Sequence, residues 1–260
     1  MKRIGRITLA FVLVIVLFAA GYISYTYREE VIAYFLLQDG IAQRYEESPS
    51  VPVLPRPEIL PGSEASPPAE TPPQEKGTVV FLGDSITYRW EMPDEIRGYR
   101  IINCGIDGNT TAGMLLRFNH DVIESGPERV VILGGINDLL IASQYDMIVM
   151  DLQLEKSAEN IRLMTRLAKN AGIRPVLCSV LPVAVNFYQS PLEINQAVKN
   201  LNISIKKIAA QEKVEYVDLW PMVTDPATGF LRNEYALEDG IHLTDQAYDR
   251  LVNVFYQILS

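Results

Sequence analysis

Five short, nearly continuous apolar runs, alternating with longer stretches of helical periodicity, constrain the fold of this chain more than any other feature. The runs cover residues 78–82, 100–104, 129–133, 175–180 and 214–218 and are rich in Val, Ile and Leu. A strand with one wet face alternates apolar and polar residues, whereas an unbroken apolar run is a strand buried on both faces. Helical patterns lie between and after the runs. Residues 112–124 carry Met114, Leu115, Phe118 and Val122; 151–171 carry Leu154, Ala158, Ile161, Met164, Leu167 and Ala168. Residues 193–211 carry Ile194, Ala197, Val198, Leu201, Ile205 and Ile208; 244–259 carry Ala247, Leu251, Val254, Phe255 and Ile258. This alternation predicts an α/β domain over 77–260, a parallel sheet with helices on both faces. In such sheets functional groups gather at the carboxyl ends of the strands.

Residues 1–76 are of a different character. Lys2, Arg3 and Arg6 precede an apolar run from Ile7 to Tyr25 that only Thr8, Gly21 and Ser24 interrupt. About 20 apolar residues span a bilayer as a helix, and preceding cations keep the N-terminus cytoplasmic. The reading is a single-pass anchor over 1–27, with Tyr22, Tyr25 and Tyr27 at the interface and a juxtamembrane helix over 28–47. The rival is a cleaved signal peptide, for which Ala19-Ala20-Gly21 offers small residues. The return of apolar character at residues 31–37 favours the anchor. Residues 48–76 hold nine of the 16 prolines, and large apolar residues almost vanish after Leu60. Such a segment favours extended states at about 3.1 Å per residue and reads as a stalk. The expected location is the cell membrane, with the folded domain outside.

Composition removes several function classes. Lys plus Arg is 23 against 32 for Asp plus Glu, a formal net charge of -9, and there is no basic run. Nucleic acid is therefore not an expected partner. Two cysteines exclude a disulfide scaffold and a four-cysteine zinc site. The two histidines, His120 and His242, leave little room for a His-based metal centre, and no metal or cofactor is expected. His120, beside Asn119 and Asp121, reads as a solvated helix residue. The loop at 105–108 lacks the Lys-Ser/Thr of a P-loop and the spacing of a dinucleotide fingerprint.

Polar, glycine-containing loops follow the first three runs and precede the last helix: Gly83-Asp84-Ser85, Gly105-Ile106-Asp107-Gly108-Asn109, Gly134-Gly135-Ile136-Asn137-Asp138 and Asp239-Gly240-Ile241-His242. Each alone is an ordinary turn or cap. Together, in this order, they hold the parts of an acyl-transfer site. A serine at a helix start is a weak nucleophile that needs a base, and His242 is the only plausible one. Asp239 is placed to orient its ring. Gly105 N–H, the Asn137 amide and Ser85 N–H are candidate oxyanion donors. Trp90, Asn109, Thr110, Leu139 and Val183 are candidate cleft walls, as is the apolar loop with Val185, Phe187 and Tyr188. Asp84 and Asp138 read as loop-stabilising, with Asp84 also a candidate substrate-binding residue.

The four blocks resemble those of the SGNH hydrolases, also called GDSL esterases, over residues 78–258. Gly83-Asp84-Ser85 resembles the first block, Gly105 the second, Gly135-Ile136-Asn137-Asp138 the third and Asp239-x-x-His242 the last; Ile86 stands where the family name has Leu. The resemblance implies a flavodoxin-like three-layer α/β/α sandwich with five parallel strands in the order 2-1-3-4-5. It implies Ser85 as nucleophile, His242 as base and Asp239 as its orienting carboxylate, with Ser85, Gly105 and Asn137 as oxyanion donors. A stalked, outward-facing serine esterase acting on O-acetyl or other short-acyl groups of carbohydrate is the expected function. Alternatives are a lysophospholipase or other lipid esterase, a surface O-acetyltransferase using the same serine, and a non-catalytic glycan-binding module. In that strand order Cys104 and Cys178 stand three strand spacings apart, about 14 Å, beyond disulfide reach, so two buried free thiols are expected.

Overall fold

The computed structural model describes residues 77–145 and 147–259. The segments expected to form an anchor, a juxtamembrane helix and a stalk lie outside the described residues. Among the described residues no helix is long and apolar enough to cross a membrane.

The chain runs β1 (Thr78–Gly83), α1 (Ser85–Tyr88), β2 (Glu95–Ile96), β3 (Tyr99–Gly105), α2 (Thr111–Phe118), β4 (Arg129–Leu133), α3 (Ile136–Ala142) and α4 (Met147–Asn170). It continues through β5 (Arg174–Cys178), α5 (Pro191–Glu212), β6 (Glu215–Val217), α6 (Trp220–Val223) and α7 (Asp245–Ile258). The sheet order is β2-β3-β1-β4-β5-β6. Its four parallel pairings are those of the expected 2-1-3-4-5 order. The sixth strand is new. β2 pairs antiparallel with β3 through a two-residue turn, Arg97-Gly98, in which both residues have positive φ. That geometry suits a tight hairpin, but Arg is not a residue that announces it.

The unbroken apolar runs are explained by the two faces they cover. Val79 and Phe81 of β1, Val131 and Leu133 of β4 and Val176 of β5 pack with Tyr248, Leu251 and Phe255 of α7. Val80, Leu82, Val130, Ile132 and Leu177 are equally buried. They point to the opposite face, as strand alternation requires. There α2, α4 and α5 pack on one another, with Phe118, Met164, Ile194 and Leu201 buried. Each such side chain contributes about 1.5–3 kcal/mol by leaving water.

Differences from the expected elements have local causes. β5 stops at Cys178 instead of 180 because side chains take over the backbone bonds. Ser179 Oγ accepts from Leu219 and Trp220 N–H. The Asn202 amide pairs both backbone groups of Val180, and that of Asn195 those of Val183. The helix expected over 112–124 becomes α2 plus one π turn over Asn119–Ile123, where Glu124 N–H reaches back to the Asn119 carbonyl. Both cysteines are free thiols on β3 and β5. Cys178 is buried, but Cys104 is only partly so, which corrects the expectation of two buried thiols.

Candidate active site

Parallel register determines where the site forms. Gly83, the last residue of β1, is paired with Gly105 of β3 on one side and Leu133 of β4 on the other. The three following loops therefore leave the sheet side by side. β1 is also where the chain order reverses, the place where open α/β sheets hold their ligands.

Ser85 opens α1, and Asp84 caps that helix by accepting from Ile86 N–H at 3.0 Å. α1 lies directly on the end of β3. A Cβ at Gly105 would stand 2.1 Å from Tyr88 N, so only glycine allows this approach. Asn103 fastens it: Nδ2 donates to the Thr87 and Trp90 carbonyls at 2.7 and 3.1 Å. From the far side of the sequence, Leu237 N–H bonds the His242 carbonyl and closes a loop that presents His242. Gly240 in this loop has φ 74, a conformation that favours glycine. Asp239 Oδ1 accepts from Ile241 and His242 N–H at 3.0 and 2.9 Å. Its Oδ2 lies 2.6 Å from His242 Nδ1, and His242 Nε2 lies 2.9 Å from Ser85 Oγ. Carboxylate, imidazole and hydroxyl thus stand in one hydrogen-bonded line, although 157 residues separate Ser85 from His242.

Partial burial works against the Asp239 charge. Bonds from the His242 ring and from the His242 and Ile241 N–H groups outweigh it and hold the carboxyl below its ordinary value. Asp239 therefore stays ionised at neutral pH and can hold the ring with Nδ1 protonated and Nε2 free to accept.

The donor side departs from expectation. Gly105 N–H donates to Asn103 Oδ1 at 2.9 Å and is not available to an oxyanion. Gly108, three residues on, has φ 70 and open space where a Cβ would be. Neither its N–H nor that of Ser85 has a hydrogen-bond partner among the described residues. Asn137, in the first turn of α3, gives one amide hydrogen to the Asn109 carbonyl at 3.0 Å and keeps the other. The next residue, Asp138, is fully buried and accepts from Thr111 N–H and Oγ1, Gln153 Nε2 and Ser157 Oγ at 2.6–3.1 Å. Asp138 is loop-stabilising, as its sequence reading has it, but its partners Thr111, Gln153 and Ser157 and the role of Asn103 carry no local mark in the sequence.

The expected cleft walls are corrected in part. Trp90 is 3% exposed and packs on Phe81, Tyr248 and Phe255 in the core. Leu139 and Val183 are fully buried, so none of these three faces an open cleft. Thr110 is the N-cap of α2, and Asn109 spends its carbonyl on Asn137. Val185 and Tyr188 are exposed, and their loop is tied to that of His242 by Ala184 N–H on the Gly240 carbonyl at 2.7 Å. His120 is exposed and paired with Asp121.

Asp84 lines a cavity of about 10 Å³, room for one water, with Ile86, Leu133, Ile136, Val180 and Ile241. Burial pushes its carboxyl up to about 7; the Ile86 N–H bond opposes this and the nearby Asp138 adds to it. The unfolded chain releases this proton near 3.8, so the folded protein binds more protons between pH 4 and 7 and loses stability as pH rises through that window. Asp84→Asn removes the loss. Urea denaturation at pH 4, 5.5 and 7 is expected to show the variant gaining on the parent by up to about 4 kcal/mol across that range. A difference independent of pH would show that the folded chain ionises Asp84 without penalty.

The fold and site together define an α/β domain with a serine, a histidine and a carboxylate in line at the strand ends. The family model of the GDSL-like Lipase/Acylhydrolase family matches residues 81–250. The chain belongs to this family of carboxylic ester hydrolases. It is 31% identical over 121 residues to an uncharacterized lipoprotein, YqeF, of Bacillus subtilis, covering 40% of this chain and 49% of the relative. It is 44% identical over 50 residues to an acetylxylan esterase of Geobacillus stearothermophilus, covering 19% and 22%. The chain thus spans half or less of these relatives. A GDSL-like lipase structure from Bacteroides thetaiotaomicron superposes with TM-score 0.58 at 26% identity, covering 85% of this chain and 96% of its own.

Proposed function

We propose that the protein is a membrane-anchored, outward-facing serine esterase that removes acetyl or other short acyl groups from carbohydrate. The observation that carries the chemistry is the unbroken hydrogen-bonded line Asp239–His242–Ser85. Ser85 Oγ attacks the ester carbonyl while His242 Nε2 takes its proton. Asp239 keeps Nδ1–H in place and stabilises the imidazolium. The oxyanion is received by Ser85 N–H, Asn137 Nδ2 and Gly108 N–H, the last in place of the expected Gly105. His242 then protonates the leaving alcohol, and water, deprotonated by the same ring, releases the acid.

The carbohydrate side is supported by the likeness to an acetylxylan esterase. The outward location is supported by the apolar N-terminal run after three cations and by the likeness to a lipoprotein.

The test is hydrolysis by the full chain in detergent of p-nitrophenyl esters from acetate to decanoate, with acetylated xylan and a lysophospholipid as natural-type substrates. Acetate is expected to exceed decanoate in kcat/KM by at least about 10-fold, a difference of the size that excluding a few methylenes supplies. Acetate should be released from xylan. A preference for decanoate and lysophospholipid would move the substrate to lipids while leaving the mechanism intact.

A further inference from the structure

One side chain touches two of the three segments that carry the proposed oxyanion donors and reaches the third through Asn109. Arg117, in the last turn of α2, is 14% exposed and uses each side of its guanidinium. Nη2 donates to the Gly83 carbonyl at 2.9 Å, the last carbonyl of β1 before Asp84 and Ser85. The same oxygen accepts from Ile106 N–H at 3.2 Å, so the nucleophile turn and the loop after β3 share one anchor. Nε donates to Asn109 Oδ1 at 3.0 Å. The Asn109 carbonyl in turn accepts from Asn137 Nδ2. The remaining nitrogen, Nη1, is held by Asp121, which fixes the plane of the fork. Gly113 leaves room for this arrangement: a Cβ there would stand 2.3 Å from Asn109 Nδ2.

A planar guanidinium with fixed donors can do this, whereas an ammonium on a flexible stem cannot hold two acceptors in defined directions. We infer that Arg117 is a positioning residue for the oxyanion donors. It sets the peptide that leads into Ser85 N–H, the loop that carries Gly108 N–H and, through Asn109, the direction of the Asn137 amide. It does not touch the reacting atoms. This inference rests on the esterase reading of the same site.

A residue that only stabilises the fold would lower activity equally whether or not Asn137 is present. A positioning residue acts through it. The experiment is therefore a double-mutant cycle in the full chain, with p-nitrophenyl acetate and active sites counted by fluorophosphonate labelling. Arg117→Met is expected to lower kcat about 30-fold with KM changed less than about 2-fold, the size of a misaligned catalytic group. In the Asn137→Ala background the same substitution should lower kcat less than about 3-fold. Arg117→Lys should fall between parent and Met and serves both backgrounds if the Met variant does not fold. Equal losses in the two backgrounds, or a lowered Tm with kcat per labelled serine unchanged, would overturn the positioning role. A parent chain inactive on every ester would overturn the esterase reading itself, an outcome distinct from an active parent indifferent to Arg117.

Discussion

Ser85→Ala is expected to lower kcat on p-nitrophenyl acetate by about 10⁴-fold or more, with Tm within about 2 °C of the parent. Two parts of the site explain the size. Among the described residues the hydroxyl is the group bonded to His242 Nε2, at 2.9 Å, so its loss removes the covalent route and leaves the imidazole without a nucleophile to activate. The oxyanion donors survive and account for residual turnover. Stability is spared because Ser85 sits at the start of α1, whose cap is the Asp84 carboxylate. Steady-state kinetics with thermal unfolding on the same preparations make the comparison. A variant that keeps a tenth of the parent's kcat would place the nucleophile elsewhere.

Asp138→Ala is expected to cost about 3–5 kcal/mol of stability, a large part of what a domain of this size has. The carboxylate is wholly buried and accepts four hydrogen bonds from three residues on two helices, α2 and α4. Its removal leaves Thr111 N–H, Gln153 Nε2 and Ser157 Oγ buried with fewer acceptors, and each such donor costs about 1–3 kcal/mol. Asp138→Asn keeps an acceptor and the volume, and less than half the loss is expected. Urea midpoints read both. The loss should extend to activity, because Asp138 neighbours Asn137 in the chain and grips Thr111, two residues beyond Asn109. A variant destabilised by less than about 1 kcal/mol would mean that water replaces the carboxylate.

How much of this was legible beforehand follows from what each feature depends on. Both-face burial of the strands shows as unbroken apolar runs, and the α7 face shows as Ala247, Leu251 and Phe255 at helical spacing. The short elements were illegible. α3 spans seven residues from Ile136 to Ala142, too few for periodicity to speak, and it begins at Gly135 with φ 127, which reads in sequence as a loop glycine. Trp90 looked like a cleft wall because it follows the nucleophile block. The turn after α1 instead swings it onto Phe81 and Phe255, where a large ring is worth more buried than exposed.

The strand–helix alternation, the order of the four loop blocks and the choice of Ser85, Asp239, His242 and Asn137 as the groups to watch can all be read along the chain. Those follow from residue type and spacing, which are local. Which donors stand free depends instead on contacts made in the folded chain. Gly105 and Gly108 are equally plausible glycines in one loop, but Asn103 Oδ1 occupies the first N–H and leaves the second open. The same holds for Arg117, an ordinary helix residue until parallel register brings the Gly83 carbonyl and Asn109 within reach of one guanidinium. Hydrogen bonding is pairwise and short-ranged, so the state of a donor is set by whatever the fold places within about 3 Å of it, and that neighbour can lie anywhere in the chain.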